Sequence, residues 1–210
     1  MKVTRTRDIR LLLETLGVRP SKALGQNFLC DENFADWMVR EAGVESRDMV
    51  LEIGPGLGAL TERLAERVRQ VAAIEADARL CRYLQQRFCH CPNVQLVCGD
   101  ALAMDWTALL AGASDWGLIS NLPYHSGTRM LMRLFDMDPP AVQGWVTLQK
   151  DVAERLVAAP GSSAYGLLSL RCARWFEARI VRRVPPSCFY PAPKVVSAVV
   201  ELRRRNTAWY

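Results

Sequence analysis

The segment Leu51-Glu52-Ile53-Gly54-Pro55-Gly56-Leu57-Gly58 ends a short apolar run and begins a helical pattern. Glycines at such a junction let the chain turn sharply and bring its backbone close to a bound nucleoside, where a Cβ atom would collide. Taken alone, the pattern is equally compatible with a structural turn between a strand and a helix. It therefore indicates an α/β unit and a candidate nucleotide site.

Short apolar runs alternate with helical patterns around this segment. Five runs have the composition of buried strands, over residues 49–53, 71–74, 94–97, 117–120 and 145–148. Helical periodicity covers residues 58–68, 77–88, 125–135 and 150–158. This repetition predicts a doubly wound parallel sheet with helices on both faces.

The last part of the chain has a different pattern. Residues 179–184 and 195–202 are strand-like, and a proline-rich segment without a helix joins them. Such a connection is typical of an antiparallel pair at a sheet edge. The predicted fold is therefore α/β, with a mostly parallel seven-stranded sheet that has one antiparallel edge strand. This is the usual architecture of Rossmann-like methyltransferases.

Two acidic residues narrow the choice of ligand. Glu75 ends the second predicted strand, 21 residues after Gly54, the spacing at which a carboxylate accepts hydrogen bonds from ribose hydroxyls. Asp100 follows the third predicted strand at the same edge of the sheet, where it can accept from the amino group of an adenine. Because Gly-x-Gly-x-Gly replaces Gly-x-Gly-x-x-Gly, S-adenosylmethionine fits better than a dinucleotide.

The fourth predicted strand is followed by Asn121-Leu122-Pro123-Tyr124. An exocyclic amine is a poor nucleophile because its lone pair is conjugated with the ring. The side-chain oxygen of Asn121 and the carbonyl of Leu122 can each accept one N–H bond, which turns the lone pair towards a sulfonium methyl group. Tyr124 can stack on the base. The structural alternative is a Pro-Tyr turn that merely ends a strand.

With these motifs in place, the sequence closely resembles the ribosomal RNA adenine N6-dimethyltransferases. The resemblance runs from Lys22 to Leu202 and consists of several blocks in order. The blocks are LGQNFL (24–29), EIGPGLG (52–58), AIE (73–75), GDAL (99–102), NLPY (121–124), QKDVA (149–153) and FYPAPKV (189–195).

The resemblance implies roles for individual residues and a reaction. The implied catalytic residues are Asn121, Leu122, Pro123, Tyr124 and Phe189, with Phe189 packing on the face of the target adenine opposite Tyr124. The implied cofactor-binding residues are Asn27, Leu29, Gly54, Gly56, Glu75, Asp100 and Asn121. The implied reaction is two successive methylations that give dimethyladenosine in small-subunit rRNA, as a step of ribosome biogenesis.

Two units are expected along the chain. Residues 1–30 contain a helical pattern over 6–16 and an ordered loop over 22–29, which we expect to close over the cofactor. Residues 31–210 form the catalytic domain, whose first helix should be capped by Asp31 and end at Gly43. Family members usually continue into a small helical domain that helps to engage rRNA, and we expect this domain to be absent here.

The net charge of +5 is concentrated at the two ends of the chain. Residues 1–29 contain six basic and two acidic side chains, and residues 171–210 contain nine basic and two acidic ones. A basic rim of this kind suits small-subunit rRNA or an immature small ribosomal subunit as partner, with the Arg203–Arg205 run contacting phosphates. The alternative is a solvated charged surface.

The composition also bears on compartment and metal binding. Seven cysteines without a repeated spacing favour a reducing, intracellular environment. The segment Cys89-His90-Cys91, with Cys98 nearby, matches no zinc pattern, so no metal is expected. No apolar run has the length of a membrane span, and no signal peptide is recognisable. We therefore expect a soluble cytoplasmic monomer without membrane contact.

Two other functions fit the same core. One is an erythromycin-resistance-type methyltransferase, which modifies adenine in large-subunit rRNA. The other is an RNA-binding assembly factor that has the fold but no turnover. Intact Glu75, Asp100 and Asn121 favour an active enzyme over the second alternative.

Overall fold

The computed structural model describes residues 3–45, 47, 49–138 and 140–206. The helices in these residues are α1 (Thr6–Thr15), α2 (Glu32–Ala42), α3 (Ala59–Ala65), α4 (Ala78–Arg87), α5 (Trp106–Leu109), α6 (Gly127–Phe135), α7 (Lys150–Leu156) and α8 (Leu167–Trp175). The strands are β1 (Phe28–Leu29), β2 (Met49–Ile53), β3 (Gln70–Glu75), β4 (Val94–Cys98), β5 (Trp116–Asn121), β6 (Gln143–Gln149), β7 (Phe176–Val184), β8 (Phe189–Tyr190) and β9 (Ser197–Arg204).

Seven strands form one sheet in the order β4-β3-β2-β5-β6-β9-β7. The first five are parallel, and β9 runs antiparallel to both β6 and β7. The predicted fold, a mostly parallel seven-stranded sheet with one reversed strand, is confirmed. The reversed strand β9 lies next to the edge of the sheet and not at the edge itself. Helix α8, which the periodicity did not predict, precedes β7, and β7 takes the edge position.

Helices cover both faces of this sheet. The side chains of consecutive residues in β2 point to opposite faces of the sheet. Val50 packs in the apolar cluster that includes α1 to α4, and Leu51 packs in the cluster that includes α5 to α8. Both residues are fully buried. Burial on both faces explains why the parallel strands are continuous apolar runs in the sequence.

The first helix ends one residue before the predicted pattern over 6–16, and both predicted ends of the second helix are confirmed. Helix α1 stops at Thr15. Helix α2 begins after Asp31, whose carboxylate accepts a hydrogen bond from the Phe34 N–H at 2.9 Å, and it ends before Gly43.

Within the described part of the chain, none of the helices combines the length and apolar character that crossing a bilayer requires.

A second, two-stranded sheet joins the N-terminal loop to the region after β7. Strand β1 pairs antiparallel with β8, with Phe28 opposite Tyr190 and Leu29 opposite Phe189. The interpretation of residues 22–29 as a loop is therefore wrong for the last two residues. Strands of two residues are too short to show a periodicity, so only the tertiary fold reveals this ribbon.

Helix α4 and strand β4 are joined by a disulfide between Cys81 and Cys98. The two cysteines are 17 residues apart, and their Cα atoms lie 5.8 Å from each other. No sequence motif indicates this pair, since only the packing of the helix against the sheet brings the two cysteines together. The disulfide differs from the reduced cysteines expected from the composition. Cys98 is thus bonded to Cys81 and not grouped with Cys89 and Cys91, and the described residues contain no cluster of three potential metal ligands.

Candidate active site

A cavity of about 430 Å³ lies at the carboxyl ends of β2, β3 and β5, where parallel sheets of this kind bind ligands. Its walls come from the N-terminal loop, the glycine segment after β2, the ends of β3 and β4, and the segment after β5. The residues predicted from the sequence that line it are Asn27, Leu29, Gly54, Gly56, Glu75, Asp100, Asn121, Leu122, Pro123 and Tyr124. Phe189 stands behind this wall and reaches the site through Tyr124.

Glu75 joins the end of β3 to the glycine segment. Its Oε2 atom accepts from the Gly56 N–H at 3.0 Å, and its Oε1 atom accepts from the Asp77 N–H at 2.9 Å. Burial raises the pKa of Glu75 to about 7, although these two N–H groups oppose the rise. Each carboxylate oxygen has a second acceptor position, so the group can also accept from ligand hydroxyls in the cavity.

Glu52 is a second buried acid in the cavity wall, and it was not among the site residues predicted from the sequence. The Thr61 hydroxyl donates to its Oε2 atom at 2.7 Å. Burial raises the pKa of Glu52 to about 8; the Thr61 hydrogen bond opposes this rise, and the charge of Glu75 adds to it. The signal in the sequence was a carboxylate inside an otherwise apolar strand, where ionisable residues are rare.

Asn121 ends β5 with its side-chain amide held in one orientation. Its Nδ2 atom donates to the Asn27 carbonyl at 3.0 Å. Its Oδ1 atom is buried and has no hydrogen-bond partner among the described residues. A buried unpaired amide oxygen is unfavourable unless a ligand satisfies it, so Asn121 presents an acceptor in the cavity wall.

The N-terminal loop approaches the rest of the site closely at two glycines with left-handed backbone angles. Gly56 has φ +61°, and a Cβ atom there would lie 3.0 Å from the Phe28 ring. Gly25 has φ +62°, and a Cβ atom there would lie 2.9 Å from the backbone nitrogens of Tyr124 and His125. A Cβ atom at Gly25 would collide with backbone and one at Gly56 would press on the Phe28 ring, so both glycines allow the N-terminal loop to pack closely against the rest of the site.

Asp100 lies at the rim of the cavity in the turn after β4. Its side chain is exposed, and its Oδ1 atom accepts from the Leu102 N–H at 2.8 Å. This hydrogen bond fixes the carboxylate beside the cavity, at the carboxyl edge expected from the sequence.

The two aromatic residues assigned to the target base are in contact. The ring centroids of Tyr124 and Phe189 are 6.4 Å apart with an interplanar angle of 72°. Phe189 is buried and also meets the Phe34 ring edge to face. The Tyr124 hydroxyl is hydrogen-bonded to the Ser197 hydroxyl at the start of β9. Ser197 was not among the site residues predicted from the sequence.

The arginines proposed for phosphate contact have partners within the protein. Arg203 forms an ion pair with Glu201 at 2.5 Å, and Arg205 forms one with Glu177 at 3.2 Å. The Arg204 guanidinium donates to the Pro140 carbonyl at 3.2 Å. Phosphate contact at these positions would compete with existing interactions.

The sequence matches a family of known proteins over most of its length. The model of the family described as ribosomal RNA adenine dimethylase matches residues 18–209. A protein of Magnetococcus marinus called ribosomal RNA small subunit methyltransferase A is 44% identical over 198 residues, which cover 93% of this chain and 70% of that protein. The protein of the same name from Syntrophotalea carbinolica is 46% identical over 182 residues, with 87% and 68% covered.

Solved structures agree with this match. A dimethyladenosine transferase from Plasmodium falciparum has a TM-score of 0.75 at 28% identity, covering 84% of this chain and 63% of its own. The 23S rRNA methyltransferase ErmE has a TM-score of 0.74 at 28% identity, with 87% and 71% covered. The chain thus spans about two thirds of the length of these relatives, and it belongs to the ribosomal RNA adenine dimethylase family.

Proposed function

We propose that this chain transfers methyl groups from S-adenosylmethionine to the N6 atoms of adenosines in small-subunit rRNA, giving N6,N6-dimethyladenosine. The observation that carries this proposal is the Asn121 amide, whose nitrogen is bound to Asn27 while its oxygen is buried and unpaired. An adenine amino group is the kind of donor that satisfies such an oxygen.

The cavity suits the cofactor. The glycines at positions 25 and 56 let the N-terminal loop pack closely against the other walls of the cavity, and Glu75 supplies acceptors for ribose hydroxyls of a nucleoside in it. Asp100 lies where it can accept a hydrogen bond from the adenine amino group of the cofactor. Asn27 and Leu29 enclose the cofactor from the side of the N-terminal loop. When bound, the cofactor supplies an electrophilic methyl group on its sulfonium.

The residues after β5 prepare the target amine. Asn121 Oδ1 and the Leu122 carbonyl accept its two N–H bonds, which directs the nitrogen lone pair towards the methyl group. Pro123 fixes the turn that leads to Tyr124, and Tyr124 and Phe189 hold the base. The amine loses a proton readily once it is methylated, so the chain needs no strong general base. A second turnover on the same nitrogen gives the dimethylated product.

The proposed substrate is an immature small ribosomal subunit. The curated relatives at 44% and 46% identity are small-subunit enzymes, whereas the large-subunit enzyme ErmE is 28% identical, so the large-subunit alternative is not favoured. We further propose a cytoplasmic monomer in which residues 1–30 close over the cofactor and residues 31–210 form the catalytic domain. The hydrogen bond between Asn27 and Asn121 supports this division of roles.

Transfer of labelled methyl from S-adenosylmethionine to immature small subunits tests the proposal. We expect label in small-subunit rRNA, and primer extension should map it to adenosines. Label in large-subunit rRNA alone would support the erythromycin-resistance type instead. Cofactor binding without transfer to either subunit would support a non-catalytic assembly factor.

A further inference from the structure

We propose that Ser197 is a positioning residue for methyl transfer, which holds the Tyr124 ring in place for the target base through the hydrogen bond between the two hydroxyls. The inference rests on the proposed function. Ser197 itself contacts neither the cofactor cavity nor the reacting atoms, so it acts through Tyr124.

Ser197 belongs to a rigid part of the fold. It is fully buried, and its backbone pairs with Gln149 of β6 on one side and Val184 of β7 on the other. Tyr124 instead lies in the connection between β5 and α6 and is partly exposed. The hydrogen bond therefore ties a loop side chain to the first residue of β9, which is 73 residues away in sequence and paired with a strand on each side.

The tether acts at the far end of the tyrosine ring. A hydrogen bond at the hydroxyl fixes the direction in which the ring extends from the backbone, because the hydroxyl lies at the end of the ring's long axis. Burial raises the pKa of Tyr124, although the Ser197 hydrogen bond opposes the rise, so the phenol remains neutral under physiological conditions. Loss of the Ser197 hydroxyl would deprive a largely buried phenol of this partner.

The second aromatic residue has no comparable tether. Phe189 carries no polar atom, and packing alone holds its ring, at 72° to Tyr124. At this angle only one of the two ring faces can lie flat on a given base. Tyr124 therefore differs from Phe189, because a hydrogen bond from Ser197 holds the position of the Tyr124 ring, whereas packing holds the buried Phe189 ring.

Single-turnover methylation of immature small subunits, at saturating labelled cofactor, tests this role. We expect Ser197→Ala to slow transfer by about 2- to 10-fold, the loss that corresponds to one neutral hydrogen bond. Tyr124→Phe removes the same hydrogen bond from the other side and should slow transfer to a similar degree. The double variant should be no slower than the slower single variant, because both changes remove one interaction.

Ser169→Ala is the matched control. Ser169 is also buried, and its hydroxyl donates to the Arg155 carbonyl at 2.6 Å in a contact between α8 and α7. Its loss should lower the thermal unfolding midpoint without changing the transfer rate. Cofactor affinity, measured by calorimetry, should stay at the parental value in both serine variants.

Two results would overturn the inference while leaving the proposed function intact. One is transfer by Ser197→Ala at the parental rate. The other is a double variant slowed by the product of the two single effects, which would mean that Ser197 and Tyr124 act independently. Absence of transfer by the parental chain would overturn the proposed function and this inference with it.

Discussion

The side-chain amide of Asn121 donates a hydrogen bond of 3.0 Å to the backbone carbonyl of Asn27, across 94 residues of sequence. This contact orients the amide, because its nitrogen is engaged and its oxygen is left as the free acceptor. The N-terminal loop that borders the cofactor cavity therefore also sets the geometry of the residue proposed to bind the target amine. The proposed enclosure of the cofactor and the proposed orientation of the target amine therefore depend on the same structural element.

Replacement of Asn121 by alanine should reduce the single-turnover methylation rate by about 10²- to 10³-fold. The removed acceptor acts mainly as the amine becomes tetrahedral, and a positioned hydrogen bond of this kind contributes about 2.7 to 4 kcal/mol. RNA affinity should change much less than the rate. Single-turnover assays at saturating cofactor and RNA separate these quantities.

Asn93 offers a matched control for this substitution. Its Nδ2 atom also donates to backbone carbonyls, those of Ala65 and Val68, at 2.7 and 3.2 Å. Asn93→Ala should lower folding stability and leave the methylation rate unchanged. If a folded Asn121→Ala protein transfers methyl groups at the parental rate, residues 121–124 are only a structural turn.

Replacement of Gly25 by alanine should slow methyl transfer by about 10- to 100-fold, the effect of a displacement of about 1 Å in a reacting geometry. The new Cβ atom would lie 2.9 Å from two backbone nitrogens, so the segment after β5 must shift. Gly17 has a similar φ of +63° but nothing within 4 Å, so Gly17→Ala is the control. Both variants should lose about 1 to 2 kcal/mol of stability from the backbone angle, and only Gly25→Ala should lose transfer rate. Equal rates for the two variants would exclude a role for this close approach.

Much of the fold was predictable because its signals are local. The strand that precedes Gly54 is a continuous apolar run, and the caps of α2 are visible as Asp31 and Gly43. The position of Glu75 and Asp100 in the cavity wall was predictable, because the carboxyl ends of parallel strands meet at one edge of the sheet. The cavity indeed has both residues in its wall.

The features that escaped prediction depend on contacts between distant segments. The pairing of Leu29 with Phe189 involves strands of two residues, and the partner of Ser197 is 73 residues away. Helix α8 has two exposed leucines, Leu167 and Leu170, which obscure its amphipathic pattern. Sequence spacing contains no information on such pairs, so they require the three-dimensional structure.

Replacement of Glu75 by alanine should weaken cofactor binding by about 10- to 150-fold, which corresponds to about 1.5 to 3 kcal/mol. The substitution removes the acceptor proposed for the ribose hydroxyls and also the hydrogen bond that orients Gly56. Titration calorimetry with S-adenosylmethionine measures the change, and Glu41→Ala, at an exposed glutamate on α2, is the control. Unchanged affinity in Glu75→Ala would remove this residue from the cofactor site.

Binding of small-subunit rRNA should weaken as salt rises, and Arg129 should contribute to that dependence. Arg129 is exposed at the rim of the cavity, whereas Arg203 is engaged by Glu201. Arg129→Ala should lower the slope of log affinity against log salt by about 1, and Arg203→Ala should lower it less. Fluorescence anisotropy of labelled RNA over a salt series measures both slopes. A larger decrease in slope for Arg203→Ala than for Arg129→Ala would mean that the C-terminal arginines make the phosphate contacts.

The free protein should lose folding stability as the pH rises from about 4.5 to about 8. Burial raises the pKa of Glu52 to about 8 and that of Glu75 to about 7, from an ordinary value of 4.5. In this pH window the folded state therefore binds more protons than the unfolded state, and stability falls with rising pH. Glu52→Gln replaces the acid by a neutral side chain of the same shape that can still accept from Thr61, so its stability should fall less over the window. Urea denaturation at pH 5 and pH 8.5, with the exposed Glu41→Gln as control, measures the difference. A decline in Glu52→Gln as steep as that of the parental chain would mean that Glu52 does not take up a proton on folding.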